Sequence, residues 1–268
     1  MLERYKDWLL INGNAWLTTR NYISRMEKVL SQIPEEKFNE ETLTVFLREL
    51  QKDNSVSTVN GYLCALISYC KFIKRDIVLP KFLKGTKTLP QSIDEKQLDN
   101  IIDVLSQVLH RDFLKFKALF YTLFYTGIRI GEIDTLHRKD FDLEKKTAKI
   151  LVSKTREERI VVYTEKTKDA LKEYFDSEEE QENAFNINSN AVQQRLKDFK
   201  HYFPEINLHA HTFRHSFAVH CLRLGVDVLT VSKLMGHKNI QTTERYLALT
   251  PTQFQEIYFN KVDNGERK

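Results

Sequence analysis

HTFRHSFAVHCLRLGVDVLTVSKLMGHKNIQTTERY, running from His211 to Tyr246, is the stretch whose reading decides the fold. His211 and Arg214 stand three apart at the opening of a helical pattern, and side chains at that spacing share a helix face. Gly225 offers a residue suited to left-handed backbone at the end of that helix. A second short helix, from about Asp227 to Met235, stops in the same way at Gly236 and leaves His237 just past the break. Tyr246 follows nine residues later. Two glycine-terminated helices in succession predict a mainly α structure here, with two imidazoles, a guanidinium and a phenol in one segment.

Upstream, Ser92-Ile-Asp-Glu95 reads as a capping box, and apolar helices follow through Leu105 and then from Leu114 to Thr126. The second, LKFKALFYTLFYTG, is apolar nearly all round, which predicts a central core helix stopped by Gly127. Arg129 and Glu132 come next, spaced so that the carboxylate can orient the guanidinium. Thr147–Val152 and Arg159–Tyr163 alternate as β-strands, joined by a polar turn from Ser153 to Glu158 that carries Lys154. A lysine on a hairpin is most often solvent-facing, and Lys146, Lys149 and Lys166 compete with Lys154 for any chemical role. The acidic run Ser177–Glu182 reads as a surface loop, and Asn188–Asn190 as the cap of a helix reaching about Lys200. Beyond Thr250, Phe254, Ile257 and Tyr258 keep helical spacing in a tail that packs either on its own domain or on a neighbouring copy.

Residues 1 to about 76 show four helical repeats of apolar residues. Their marks are Leu2, Tyr5, Trp8 and Leu9; Tyr22, Ile23, Met26, Val29 and Leu30; Leu43, Phe46, Leu47 and Leu50; and Val59, Leu63, Leu66, Ile67, Cys70 and Ile73. Thr18 or Thr19, Asn39 and Ser57 are the expected caps of the second, third and fourth helices. Residues 71 to 90 then hold six cations, Lys71, Lys74, Arg75, Lys81, Lys84 and Lys87, against one Asp, with Pro80, Gly85 and Pro90 breaking the pattern. Such a run is commonly only a solvated segment, but it can also lie along a phosphate backbone and displace condensed counterions.

HTFRH, LMGH and a tyrosine nine residues after that histidine together resemble the C-terminal signature of the tyrosine recombinases, the phage integrase family. The Xer-type recombinases are nearest in size and layout. Thr126 to Glu132 resembles the family's TGxRxxE, and SKTREERIVV at 153–162 resembles its GKGxKER hairpin without the usual glycines. The resemblance implies a catalytic set of Arg129, Lys154, His211, Arg214, His237 and the nucleophile Tyr246, with Glu132 in support and Arg159 as the arginine trailing the lysine. Many relatives carry a histidine two residues beyond the tyrosine, where this chain has Ala248.

The fold so implied has two domains. Residues 1–82 form a four-helix, SAM-like core-binding domain, 83–91 a basic linker, and 92–268 a helical catalytic domain with a small antiparallel sheet. No additional N-terminal arm-binding domain is expected. The implied activity is site-specific cleavage and rejoining of DNA through a 3′-phosphotyrosyl link, without cofactor or metal. It serves either chromosome-dimer resolution or mobile-element integration. Double-stranded DNA carrying an inverted-repeat site and a homo- or hetero-tetramer on two synapsed sites are the implied partners. A type IB topoisomerase and a catalytically silent DNA-binding relative are the alternatives.

Composition agrees with this without demanding it. A charged content of 29% and a mean hydropathy of −0.45 predict a soluble chain, and no apolar run is long enough to span a membrane. MLERYKDWLL carries charges unsuited to a signal peptide, and Cys64, Cys70 and Cys221 read as buried thiols of a reducing cytoplasm. The net charge of +4 permits nucleic-acid binding only if cations cluster. Six of the eight histidines fall between His201 and His237, so a zinc site on His211 and His215 must be weighed. Against it, no HExxH pattern is present and Arg214 would bring positive charge toward the metal. His215 and His220 are read as structural, and His209 as a loop residue without a role.

Overall fold

The computed structural model describes residues 1–85, 91–152, 157–179 and 182–236. Lys87, Lys154, His237, Tyr246, Ala248 and the tail with Phe254, Ile257 and Tyr258 lie outside the described residues. The chain divides into two compact units, Met1–Thr88 and Leu89–Lys268.

The N-terminal unit consists of α1 (Leu2–Ile11), α2 (Trp16–Gln32), α3 (Glu40–Asp53) and α4 (Val56–Phe72). Asn39 caps α3, its side chain accepting from the Thr42 amide at 2.8 Å while Thr42 Oγ1 accepts from the Asn39 amide. α4 begins two residues earlier than expected, with Ser55 and not Ser57 accepting from the Thr58 amide. Thr18 and Thr19 lie inside α2, whose N-cap is Ala15 without a side-chain hydrogen bond. Tyr5, Leu9, Met26, Val29, Leu43, Leu63, Leu66 and Tyr69 close the core. Each such side chain contributes roughly 1.5–3 kcal/mol by leaving water. Tyr5 meets Tyr69 edge to face at 4.9 Å, and Tyr69 Oη donates to Glu35 at 2.6 Å. Ile67 departs from the expected core, being exposed beside Lys71 and Lys74.

Single side-chain amides fasten the chain on either side of the connection. Asn60 Nδ2 donates to the Leu83 carbonyl at 2.9 Å, and its Oδ1 accepts from the Leu83 amide at 2.8 Å. In the second unit, Gln91 Nε2 donates to the Glu205 carbonyl at 3.1 Å, and its Oε1 accepts from the Asn207 amide at 3.0 Å. Each amide imitates the donor and acceptor of a strand neighbour, so both backbone segments keep their hydrogen bonds satisfied.

Among its described residues the C-terminal unit is helical with one small sheet: α5 (Glu95–Val108), α6 (Phe113–Thr126), β1 (Phe141–Asp142), β2 (Thr147–Val152), β3 (Glu157–Val162), α7 (Glu165–Ser177), α8 (Ser189–Phe199), α9 (Ala210–Arg223) and α10 (Val228–Met235). The box that opens α5 is Asp94 with Gln97, and Ser92 takes no part in it. α6 is the central helix that its composition predicts, buried from Ala118 through Thr126. The sheet has the order β1-β2-β3, antiparallel throughout, with Lys149 opposite Ile160 and Ile150 opposite Arg159. The sequence pattern does not mark β1 or α7. β1 is only two residues long, and α7 is rich in exposed Lys and Glu. In the acidic run only Ser177 belongs to a helix, as the last residue of α7; Glu178 and Glu179 lie beyond it as the expected surface loop, their carbonyls accepting from Arg138, and residues 180–181 lie outside the described residues.

Candidate active site

Glycine geometry brings the arginines together. Gly127 ends α6 at φ +62°, where a β-carbon would stand 2.3 Å from Phe217 Cδ1 of α9. Without a side chain there, α6 and α9 approach closely enough for Arg214 Nη1 to donate to the Gly127 carbonyl. Arg214 Nη2 donates to the Met235 carbonyl at 2.8 Å. Arg214 is 5% exposed, and two of its five N–H groups hold carbonyls from two different elements. His211 starts the same helix but is exposed, its ring stacked on that of His215 with centroids 6.1 Å apart.

Two further features fix the helices around this point. His209 is the N-cap of α9, its Nδ1 accepting from the Thr212 amide at 3.0 Å, so it has a role that the sequence reading missed. Histidine is not among the residues that ordinarily signal a cap, so nothing in the pattern pointed to it. At the other end, the Gly225 amide donates to the Leu222 carbonyl and the Val226 amide to that of Cys221, closing a Schellman turn at φ +81°. The turn aims α10 back so that Met235 and Gly236 end beside the arginines.

Arg129 caps a 3₁₀ turn, Ile130–Thr135, and meets Glu132 twice. Its amide donates to Oε2 at 2.8 Å and its Nη1 to Oε1 at 3.1 Å. Arg129 Nη2 donates to the Gly236 carbonyl at 3.0 Å. The two arginines therefore hold successive carbonyls, those of Met235 and Gly236, immediately before His237 in the chain. Glu132, 4% exposed, is held from the other side by Arg159, whose Nη1 and Nη2 donate to its two oxygens at 2.8 and 2.7 Å. Burial alone would raise the Glu132 carboxyl, but the two guanidiniums outweigh it and hold the group below the ordinary carboxylate range.

Among the described residues, Arg129, Glu132 and Arg214 are thus gathered at one place, with Arg159 as a fourth member. The family model described as "Phage integrase family" matches residues 91–253. The chain belongs to that family. It is an enzyme that cleaves and rejoins DNA, a tyrosine recombinase of Xer type. A curated relative, tyrosine recombinase XerA of Thermococcus onnurineus, is 28% identical over 264 residues, covering 93% of this chain and 91% of its own. XerA of Saccharolobus solfataricus is 28% identical across 82% of this chain and 73% of its own. Among solved structures, XerA recombinase aligns with a TM-score of 0.56 at 22% identity over 97% of both chains. The Tn1549 transposon integrase in complex with transposon right end DNA aligns with a TM-score of 0.74 at 15% identity, covering 98% of this chain and 99% of that one. A lambda integrase dimer bound to a core site gives 0.72 at 14% identity, covering 91% and 93%.

The competing lysines sit elsewhere. Lys146 Nζ is paired with Glu165 at 3.0 Å and Lys166 Nζ with Asp99 at 2.7 Å. Lys149 shares the outward face of the sheet with Ile160, whereas Arg159 belongs to the inward face that meets Glu132. Lys149 instead lines a polar cleft of about 980 Å³ with Asp134, His137, Glu158 and Asn186, a cleft that includes none of the arginines. His220, half-buried, packs against Phe124 and Tyr125, and burial lowers its pKa. Among the described residues, no three His, Cys, Asp or Glu side chains converge as a metal site needs, and no helix is long and apolar enough to cross a membrane. Of the three thiols expected to be buried, Cys70 and Cys221 are, while Cys64 is only half-buried; burial pushes Cys221 up to about 12.

Proposed function

We propose that Arg129, Lys154, His211, Arg214, His237 and Tyr246 are the catalytic residues, with Glu132 orienting Arg129. A DNA phosphodiester is anionic, so attack on phosphorus requires neutralisation first. Arg129 and Arg214 supply it at the non-bridging oxygens and stabilise the pentacoordinate transition state. The phenolic oxygen of Tyr246 forms a bond to phosphorus as the bond from phosphorus to the 5′-oxygen breaks. His211 accepts the phenolic proton, His237 hydrogen-bonds the phosphate, and Lys154 gives a proton to the departing 5′-oxygen. The ester energy stays in the 3′-phosphotyrosine, so rejoining needs no nucleotide.

The observation that carries this reading is the pair of arginines on the two carbonyls that directly precede His237. The Tn1549 and lambda integrase structures of the same fold are complexes with DNA, which supports DNA as the partner. The DNA-binding surface includes Lys71, Lys74, Lys81, Lys84 and Lys87, and the active assembly is a tetramer on two synapsed inverted-repeat sites in the cytoplasm. Arg75 belongs to this basic run by sequence, but its Nη1 donates to the Glu35 carbonyl at 2.6 Å, so it anchors the unit first. The physiological task is chromosome-dimer resolution or movement of a mobile element.

The test is Tyr246→Phe on DNA recovered from the protein's own covalent adducts and nicked near the cleavage site. The variant should bind that DNA and give no adduct on a denaturing gel. An adduct that persists means that another residue is the nucleophile. Relaxation of a plasmid lacking the site would point instead to a topoisomerase.

A further inference from the structure

Arg159 differs from the other two arginines in what its guanidinium does. Both terminal nitrogens are engaged by one carboxylate, Glu132, at 2.8 and 2.7 Å, and the side chain is 12% exposed. It cannot turn those donors to a phosphate without abandoning a buried charge. Arg129 reaches the same carboxylate from its own turn at 3.1 Å. Glu132 is therefore shared by two cations from separate elements, β3 and the 3₁₀ turn at 130–135. Arg159 also lies against the end of α10, where a β-carbon on Gly236 would stand 3.1 Å from its Cδ. Position 236 has φ +65°, so glycine is favoured there on both counts.

β3 begins at Glu157, three residues after Lys154, and Arg159 is the inward-facing residue of β3 opposite Ile150. The ion pair thus ties this end of the hairpin to the turn that carries Arg129.

We propose that Arg159 is a positioning residue: through the shared carboxylate of Glu132 it sets the lysine-bearing hairpin in register with the phosphate clamp. This deepens the function proposed above and rests on it. The cleavage step needs the proton donor at the 5′-oxygen and the clamp at the non-bridging oxygens at the same moment. A carboxylate bound by both Arg159 and Arg129 fixes the distance between β3 and the turn that carries the clamp. A bidentate guanidinium suits this because it sets orientation as well as separation, whereas an ammonium makes a single point contact.

The experiment compares Arg159→Met and Arg159→Lys with Lys154→Ala and Arg129→Ala in the full-length protein. The substrates are the DNA trapped by the wild type and the same DNA with sulfur in place of the bridging 5′-oxygen. Sulfur leaves as a thiolate and needs no proton, so a misplaced donor ceases to matter. On ordinary DNA, Arg159→Met should cleave on the order of 10²-fold more slowly, the loss expected from misplacing a reacting group by about 1 Å. Arg159→Lys should lose less. DNA affinity should be unchanged in both. On the sulfur substrate both should return close to the wild-type rate, while Arg129→Ala should not. A defect in both Arg159 variants that sulfur fails to rescue overturns the proposal, since Arg159 then acts through the clamp or through the fold. If Arg159→Met is unfolded by its melting curve, Arg159→Lys decides alone. Failure of sulfur to rescue Lys154→Ala would instead move the donor to another residue. Absence of any adduct from the wild-type protein would remove the recombinase reading itself. Both of these results are distinguishable from a failure at Arg159.

Discussion

In the N-terminal unit, Lys71, Lys74, Lys81 and Lys84 reach solvent, and among the described residues none has a carboxylate partner. Arg25 and Lys28 lie over the Tyr62 ring at 5.9 and 5.8 Å, again without one. In the C-terminal unit, Arg129, Arg159 and Arg214 are each held by a carboxylate or by backbone carbonyls. On the function proposed above, the difference separates two uses of positive charge. Exposed ammonium groups gain their energy by exchanging counterions along a polyanion, an effect that salt erodes. Guanidiniums fixed in advance need no reordering when charge develops in a transition state, and those shielded from solvent, Arg159 and Arg214, respond weakly to salt.

The largest effects come from breaking the fixed set. Arg129→Ala and Arg214→Ala should each slow cleavage by about 10²- to 10³-fold, the range seen when one transition-state donor is removed. DNA affinity in a gel-shift assay should stay close to that of the unaltered protein. Arg214→Ala also leaves the Gly127 and Met235 carbonyls without their donor, at about 1–3 kcal/mol each, so Arg214→Lys should accompany it. Loss of binding in a folded Arg129→Ala protein would show that the arginines bind as much as they catalyse, and the comparison would collapse. The converse substitution, Lys81, Lys84 and Lys87 to Ala together, should leave single-turnover cleavage at saturating DNA unchanged. The slope of log affinity against log salt should fall by about 0.9 for each phosphate that is no longer neutralised. An unchanged slope would take this segment out of the DNA interface.

The same contrast explains what could be read from the sequence. The helical core of the N-terminal unit repeats at Leu43, Phe46, Leu47 and Leu50, and burial follows the repeat because packing requires it. Gly127 and Gly236 stop helices at positive φ, as glycines placed after apolar runs predict. Arg129 and Glu132 meet because their spacing is local. The second grip on Glu132 could not be read, because it depends on strand register. A shift of one residue would turn Arg159 to the outward face with Ile160. Asn60 with Leu83 and Gln91 with Asn207 are long-range hydrogen bonds with no spacing to betray them. The caps shifted by two residues, to Ser55 and Asp94, because several acceptable acceptors stood in a row and tertiary packing chose among them.

Acid should act on one side of the comparison. The Glu132 carboxyl is held below its ordinary value when folded, so the unfolded chain binds more protons as pH drops. The stability it contributes is complete above the unfolded value near 4.5 and is lost as pH falls through the lower folded value. Urea midpoints measured on either side of pH 4.5 should therefore decline on the acid side for the wild type. The decline should be shallower for Glu132→Gln, which has nothing to protonate there. Equal slopes would mean that the shared carboxylate contributes no acid-sensitive stability.

The smallest expected effect concerns Lys74, which stands at φ +56° just past α4. Its amide donates to the Lys71 carbonyl and the Arg75 amide to that of Cys70, the same turn that Gly225 and Val226 make after α9. At the later turn the residue is glycine, and at the earlier one it is lysine. Left-handed backbone costs an L-residue about 1–2 kcal/mol, and glycine's added freedom in the unfolded chain returns about 0.5–1 of that. Lys74→Gly should then stabilise the protein by a few tenths to about 1 kcal/mol, read as a higher urea midpoint with unchanged slope. Lys146, also left-handed at φ +53°, keeps its ammonium on Glu165, but Lys74 has no such partner among the described residues. If the strain is kept because the ammonium meets a phosphate, Lys74→Gly should also weaken DNA binding and shorten the salt slope by about 0.9. Lys74→Asn, which tolerates the same backbone without the charge, should weaken it equally. Lys71→Ala should weaken binding with no gain in stability. A Lys74→Gly protein that is more stable and binds DNA with an unaltered salt slope would leave the lysine with strain and no phosphate.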